Sequence, residues 1–160
     1  MGAVRQFIGN YYLLVAVLSW FSAQVLKVIF TLITKKKFVS ERFWGSGGMP
    51  SSHSAMVCSL AIAISRGQGF SSPEFAIAFV LACIVMYDAT GVRRETGKQA
   101  VVIKQLVRTL EEEEALDDEK NDEELFTDLG LKEFVGHTPF EVLGGALLGI
   151  LIAMIIPLNR

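Results

Sequence analysis

The sequence predicts an all-α protein, a small polytopic membrane helical bundle of about four transmembrane helices plus an amphipathic helix and an acidic loop. Three observations carry this. Of 160 residues, 51% are hydrophobic and 20% charged, with a mean hydropathy of +0.42. The apolar residues gather in long runs, the first of which can cross a bilayer. The charge is segregated, since twelve of the 17 acidic residues lie between Glu111 and Glu133. The length suits one membrane-embedded domain over 1–160, with a polar excursion at 98–135, and the composition excludes disordered, collagen-like and disulfide-scaffold classes.

The first run, Tyr11 to Ile33, is apolar except for Ser19, Ser22, Gln24, Lys27 and Thr31. As a helix it would extend roughly 34 Å. A cleaved signal peptide is the rival reading, but Lys35, Lys36 and Lys37 follow where small residues would be needed. Next, Met49-Pro50-Ser51-Ser52-His53-Ser54-Ala55 leads into a small-residue apolar segment ending at Ile64. Ser51 or Ser52 would cap its helix. The segment is short, so a full crossing and a re-entrant helix are both open.

After the turn-like Arg66-Gly67-Gln68-Gly69, a third run spans Phe75 to Tyr87. Lys98 to Leu110 places Val101, Val102, Ile103, Leu106, Val107 and Leu110 among polar residues, the pattern of an amphipathic helix lying on the membrane or against a partner helix. Glu111 to Glu124 reads as a solvated acidic loop, with metal binding the weaker alternative because no ligand spacing is present. The fourth run, Phe140 to Leu158, contains Gly144, Gly145 and Gly149, whose spacing lets membrane helices approach closely. Cys58 and Cys83 read as two small buried hydrophobes. A formal net charge of -2 gives no reason to expect nucleic acid.

Four crossings would put both termini on one side and gather Lys35, His53, Arg93, Arg94 and His137 on the other. That face would hold eleven of the 15 basic residues. The positive-inside bias then turns it toward the cytoplasm of a multi-pass cell-membrane protein. Two histidines and several cations beside helix starts suit phosphate chemistry. A helix N-terminus offers unpaired N–H groups, Arg and Lys neutralise phosphate oxygens, and His serves as nucleophile or proton donor near neutral pH.

The ordered set of Lys35 and Arg42, Pro50-Ser51-Ser52-His53, Arg93-Arg94 and His137 with Glu141 resembles the type 2 phosphatidic acid phosphatase (PAP2) superfamily, which includes the vanadium haloperoxidases. Its signatures are Lys-x6-Arg-Pro, Pro-Ser-Gly-His and Ser-Arg-x5-His-x3-Asp. The longer strings Gly47-Gly48-Met49-Pro50-Ser51-Ser52-His53-Ser54-Ala55, Tyr87-Asp88-Ala89-Thr90-Gly91-Val92-Arg93-Arg94 and Gly136-His137-Thr138-Pro139-Phe140-Glu141-Val142 are similar to its small divergent branch, over essentially the whole chain. The resemblance implies a lipid phosphatase acting on a phosphomonoester or pyrophosphate. His137 would be the nucleophile forming a phosphohistidine, Glu141 would orient it and His53 would protonate the leaving alcohol. Ser51, Ser52, Lys35, Arg42 and one of Arg93 or Arg94 would bind the phosphate. No metal or cofactor is implied, because side chains supply the cations. The partners would be the bilayer and a lipid phosphate, such as phosphatidylglycerophosphate, phosphatidic acid or undecaprenyl pyrophosphate.

The departures are specific. Phe43 replaces the first signature's proline, and Ser52 replaces the glycine of the second. Positions 95–136 separate Arg94 from His137 where the pattern has five residues. Lys27 is a rival to Lys35, Lys36 and Lys37 as the first-signature cation, because a lysine in an apolar helix is expensive unless it serves a polar site and Ala23-Gln24-x-x-Lys27 also resembles the branch. Glu141 doubles as the last residue of a Thr138-Pro139-Phe140-Glu141 capping box. Asp88 either pairs structurally or holds an arginine. The rival function is a non-enzymatic membrane protein that binds anionic lipid headgroups or a protein partner. Vanadate-dependent halide oxidation is the weakest reading, as those relatives are typically much larger soluble proteins.

Overall fold

A computed structural model of the protein describes residues 2–35, 48–117 and 137–158. Among these, six helices and no strands form: α1 (Gly2–Ile8), α2 (Tyr11–Lys35), α3 (Ser52–Gln68), α4 (Pro73–Thr90), α5 (Val92–Asp117) and α6 (Pro139–Ile155). Local chemistry sets their ends. Ser51 caps α3 by accepting the Ser54 N–H, and Ser72 caps α4 by accepting the Phe75 N–H ahead of Pro73. Thr138 and Glu141 close a reciprocal capping box on α6. At the other end, Ile156 turns extended before Pro157, which disfavours a helical residue in front of it.

Helix α3 is the centre of the bundle, packed against α2, α4 and α6, whereas α5 meets only α4 among the described elements. Its partners take their directions from identifiable contacts. Gly67 near the end of α3 lies against the Tyr12 ring at the start of α2, so those helices are antiparallel. Cys58 Sγ on α3 stands 3.8 Å from Met86 Sδ late in α4, again antiparallel. Gly145 sits over the Ser51 carbonyl and Gly149 over the Ala55 carbonyl, so α6 runs parallel to α3 with its backbone pressed on it. At the far end Arg66 donates to the Ala153 and Ile156 carbonyls and to Tyr11, tying α2, α3 and α6 together.

The distribution of polarity is that of a membrane protein. Leu14, Val17, Phe21, Ile29, Ile77, Phe79, Val80, Ile84, Leu143, Leu147 and Leu151 face outward, while Ser19, Gln24, Lys27, Ser51, Ser52, Ser54, Ser59 and His137 are buried with small residues such as Ala23, Ala55 and Ala63. Lipid solvates the exposed apolar surface, so close packing of small residues holds the helices together. Helices α2 and α4 have the length and apolar composition to cross a bilayer.

Several boundaries differ from expectation. The amphipathic helix starts at Val92, not Lys98, because Gly91 is the whole break after α4 and no polar linker intervenes. It continues to Asp117, so the first acids of the tract are helical rather than loop, in keeping with the good helix propensity of glutamate. The rest of that tract lies outside the described residues. Cys58 is buried as expected, but Cys83 is on the outer surface of α4, where lipid is as acceptable to a thiol as a protein core. Helix α1 was not expected from the sequence. Helix α3 runs as one uninterrupted helix of 17 residues to the end of the bundle where α2 begins.

A methyl group at Gly149 would strike the Ala55 backbone, whereas at Gly144 it would meet the mobile tip of Met49 at 3.2 Å. Gly149→Ala is expected to lower the thermal midpoint in detergent, consistent with an overpacking cost of about 1–3 kcal/mol, and Gly144→Ala to be close to neutral. Equal midpoints for the two variants would contradict the close α3–α6 contact.

Candidate active site

The site lies where the starts of α3 and α6 meet the end of α4. Three backbone hydrogen bonds assemble it. Ser51 N–H donates to the Glu141 carbonyl at 2.9 Å, fastening the loop before α3 to the first turn of α6. His137 N–H donates to the Ala89 carbonyl at 3.0 Å, fastening the approach to α6 onto the last turn of α4. The Ala55 N–H then returns to the Ser51 carbonyl at 3.1 Å, beneath Gly145. A residue larger than glycine at 145 would push α6, and the histidine before it, off this anchor.

His137 is buried, with only 3% of its surface exposed. Its Nδ1 faces Glu141 Oε2 at 3.3 Å, and that same oxygen accepts the Thr138 N–H at 2.9 Å. One carboxylate therefore completes the helix cap and holds the imidazole. An ionised carboxylate only accepts, so Nδ1 carries the proton and the lone pair sits on Nε2. Nε2 is buried and has no hydrogen-bond partner among the described residues. Buried polar atoms are ordinarily satisfied, so the orphaned imidazole nitrogen is the candidate point of contact for a ligand.

Around this nitrogen the other groups arrange themselves in two tiers. Lys27, 1% exposed on the buried face of α2 that also carries Val15, Ser19 and Ala23, lies within electrostatic reach of both His137 and His53. Ser52 is buried at the first residue of α3. His53, in the same turn, is exposed, as are Arg93 and Arg94 in the first turn of α5. Arg93 acts electrostatically on His53 and makes a 2.6 Å ion pair from Nε to Asp88 Oδ2. The deep tier thus offers a lone pair and a buried cation, and the outer tier offers a second imidazole and a guanidinium.

Of the expected site residues, His137, Glu141, His53, Lys27, Ser51, Ser52 and Arg93 fall in this region. Ser51 is fully buried and its oxygen accepts from the Ser54 N–H and hydroxyl, so its first task is capping, with its own hydroxyl hydrogen left to donate. Arg94 is exposed and makes no ion pair among the described residues. Lys35 ends α2. Its side chain lies outside the described residues, as do Lys36, Lys37 and Arg42. The Ala89 carbonyl and the Ser54 hydroxyl both shape the site without having been expected, since an alanine's backbone oxygen leaves no signal in a residue pattern. The serine excess of the 51–54 stretch was the available hint for Ser54.

Burial pushes the His137 imidazole below its usual 6.5, and the charges of Lys27 and His53 push the same way, while Glu141 raises it through charge and hydrogen bonding. The neutral form is therefore dominant at neutral pH. Because the folded value is the lower one, the contribution of His137 to stability is complete above the unfolded value and is lost as pH falls through the folded value. NMR titration in micelles is expected to place the His137 midpoint below 6.5, with Glu141→Gln moving it further down because the two raising influences disappear. An upward shift in that variant would contradict the contact.

A model of the divergent PAP2 family matches residues 8–152 of this chain. YuiD of Bacillus subtilis (strain 168), named an uncharacterized membrane protein, is 39% identical over 153 residues, covering 94% of this chain and 96% of YuiD. No solved structure matches the chain.

Proposed function

The chain belongs to the divergent PAP2 family, and from that premise we propose that it is a multi-pass membrane phosphatase that hydrolyses a phosphomonoester or pyrophosphate carried on a lipid. The observation that carries this reading is the buried, unpartnered Nε2 of His137, backed by Glu141 and flanked by Lys27 and a second imidazole. Such an arrangement is what nucleophilic attack on phosphorus requires: an oriented lone pair, with charge stabilisation already in place.

The reaction proceeds in two displacements. Nε2 of His137 attacks phosphorus, the bond to the leaving oxygen breaks, and His53 in its protonated form donates a proton to that oxygen. Water then attacks the phosphohistidine, His53 takes the water's proton, and orthophosphate departs with the His137 lone pair restored. Lys27 and Arg93 neutralise the equatorial oxygens, where charge accumulates during transfer. The exposure of His53 and Arg93 suits a leaving group that remains anchored among lipid headgroups while its phosphate reaches inward. The cationic flanks of the apolar runs support a site on the cytoplasmic face.

His137→Ala, purified in detergent, is expected to lose at least about 10³-fold of phosphate release from phosphatidic acid, phosphatidylglycerophosphate or undecaprenyl pyrophosphate. The intact protein should yield an acid-labile, base-stable phosphoryl label. Failure of the intact protein to release phosphate from any of these lipids would favour the headgroup-binding alternative. In a variant lacking Cys58 and Cys83, single cysteines at Gln68 and Gln99, both exposed, should label from opposite sides of the membrane. Labelling from one side would overturn a crossing α4, the helix that lies between the two positions.

A further inference from the structure

We infer that Asp88 is a positioning residue, which grips Arg93 by its Nε and so aims the two terminal amino groups of the guanidinium at the phosphate. The inference rests on the phosphatase reading and extends it to a residue outside the set that touches substrate. It also selects Arg93 over its neighbour Arg94.

The ion pair itself is the first observation. Arg93 Nε lies 2.6 Å from Asp88 Oδ2, with the side chains 50% and 38% exposed. A pair so open to solvent contributes little stability. Nor does either charge suit the helix end on which it sits. Asp88 is in the last turn of α4 beside the partial negative charge of the helix C-terminus, and Arg93 is in the first turn of α5 beside a partial positive one. The placement therefore needs a reason beyond holding its own helices.

What the pair fixes is direction. The chain breaks only at Gly91, whose N–H closes back on the Tyr87 carbonyl at 2.8 Å, and this brings position 93 back over position 88. Asp88 engages Nε alone, and the structure records no other side-chain partner for Arg93 among the described residues. Its Nη1 and Nη2 groups are thus available as the parallel donors that grip phosphate bidentately. Their charge is felt at His53. The same turn of α4 presents the Ala89 carbonyl that anchors the His137 backbone. One helical turn accordingly sets both the height of the nucleophile and the bearing of the cation, and this is how an arginine separated from its histidine by positions 95–136 still serves one phosphate.

The test is a kinetic double-mutant cycle on the purified full chain, with phosphatidic acid in mixed micelles as substrate. Asp88→Asn is expected to reduce kcat/KM about tenfold, less than the roughly 10²-fold or greater loss from removing the donor itself in Arg93→Ala. Asp88→Glu should recover part of the loss. In the Arg93→Ala background Asp88→Asn should have no further effect, and its thermal midpoint should not fall, since it removes a charge unfavourable to the end of α4. In parallel, stabilisation of the chain against heat by inorganic phosphate should be weaker in both single variants. If the unmodified chain turns over lipid but Asp88→Asn matches it, or if the two losses simply add, the positioning role is overturned while the phosphatase reading stands. If the unmodified chain neither turns over lipid nor is stabilised by phosphate, both fall. Phosphate stabilisation without turnover, if weakened by Asp88→Asn only when Arg93 is present, supports the positioning role and overturns the hydrolytic step alone.

Discussion

Everything at the site depends on how closely two backbones approach. Gly145 and Gly149 allow α6 to lie directly on the Ser51 and Ala55 carbonyls of α3, and that contact allows the Ser51 N–H to reach the Glu141 carbonyl. The register that results leaves no freedom in the first turn of α6. Thr138 caps it, Glu141 closes the cap, and His137, immediately before the cap, is held in the interior. In lipid, where the hydrophobic effect does little to drive one helix onto another, this kind of small-residue contact is a main source of cohesion. The precision of the site is thus a by-product of the packing that holds the bundle together.

The arrangement also explains how charged and polar groups come to be buried in a chain so apolar. A lysine ammonium and the His137 imidazole inside a low-dielectric bundle are costly to maintain. The fold concentrates them at one end, against two helix N-termini whose partial positive charges make the cost greater still for cations. In the proposed reaction, the phosphate of the substrate would meet the Arg93 guanidinium and His137 Nε2 together. Burial, aided by the charges of Lys27 and His53, favours the unprotonated His137 ring.

The opposite end of the bundle is built from different chemistry. There Arg66 lies against carbonyl oxygens at the close of α6 and against Tyr11, where a cation complements the helix C-terminus. A cation thus meets C-terminal carbonyls at one end, where Arg66 holds α2, α3 and α6 together, while at the other end Arg93 sits in the first turn of α5.

Much of this was legible from residue order, because it depends on local chemistry. The Tyr11–Ile33 run, the Ser51 and Thr138 caps and the proline that starts α6 follow from rules acting within a few residues. The His137–Glu141 contact is one such case, since positions four apart around a helix start are neighbours. The family resemblance nominated His53 and Arg93, and the cost of a lysine in an apolar helix nominated Lys27, but residue order could not show how near they lie to one another. Their meeting depends on α2 and α4 running antiparallel to α3 while α6 runs parallel, and on the Ala89 carbonyl, a backbone atom with no identity in the sequence. That Arg93 and not Arg94 pairs with Asp88 was equally out of reach, because it turns on which side chain folds back across Gly91. Periodicity and capping are properties of a chain with itself, and residue order conveys them; the convergence of distant groups belongs to packing, which exists only after the helices have met.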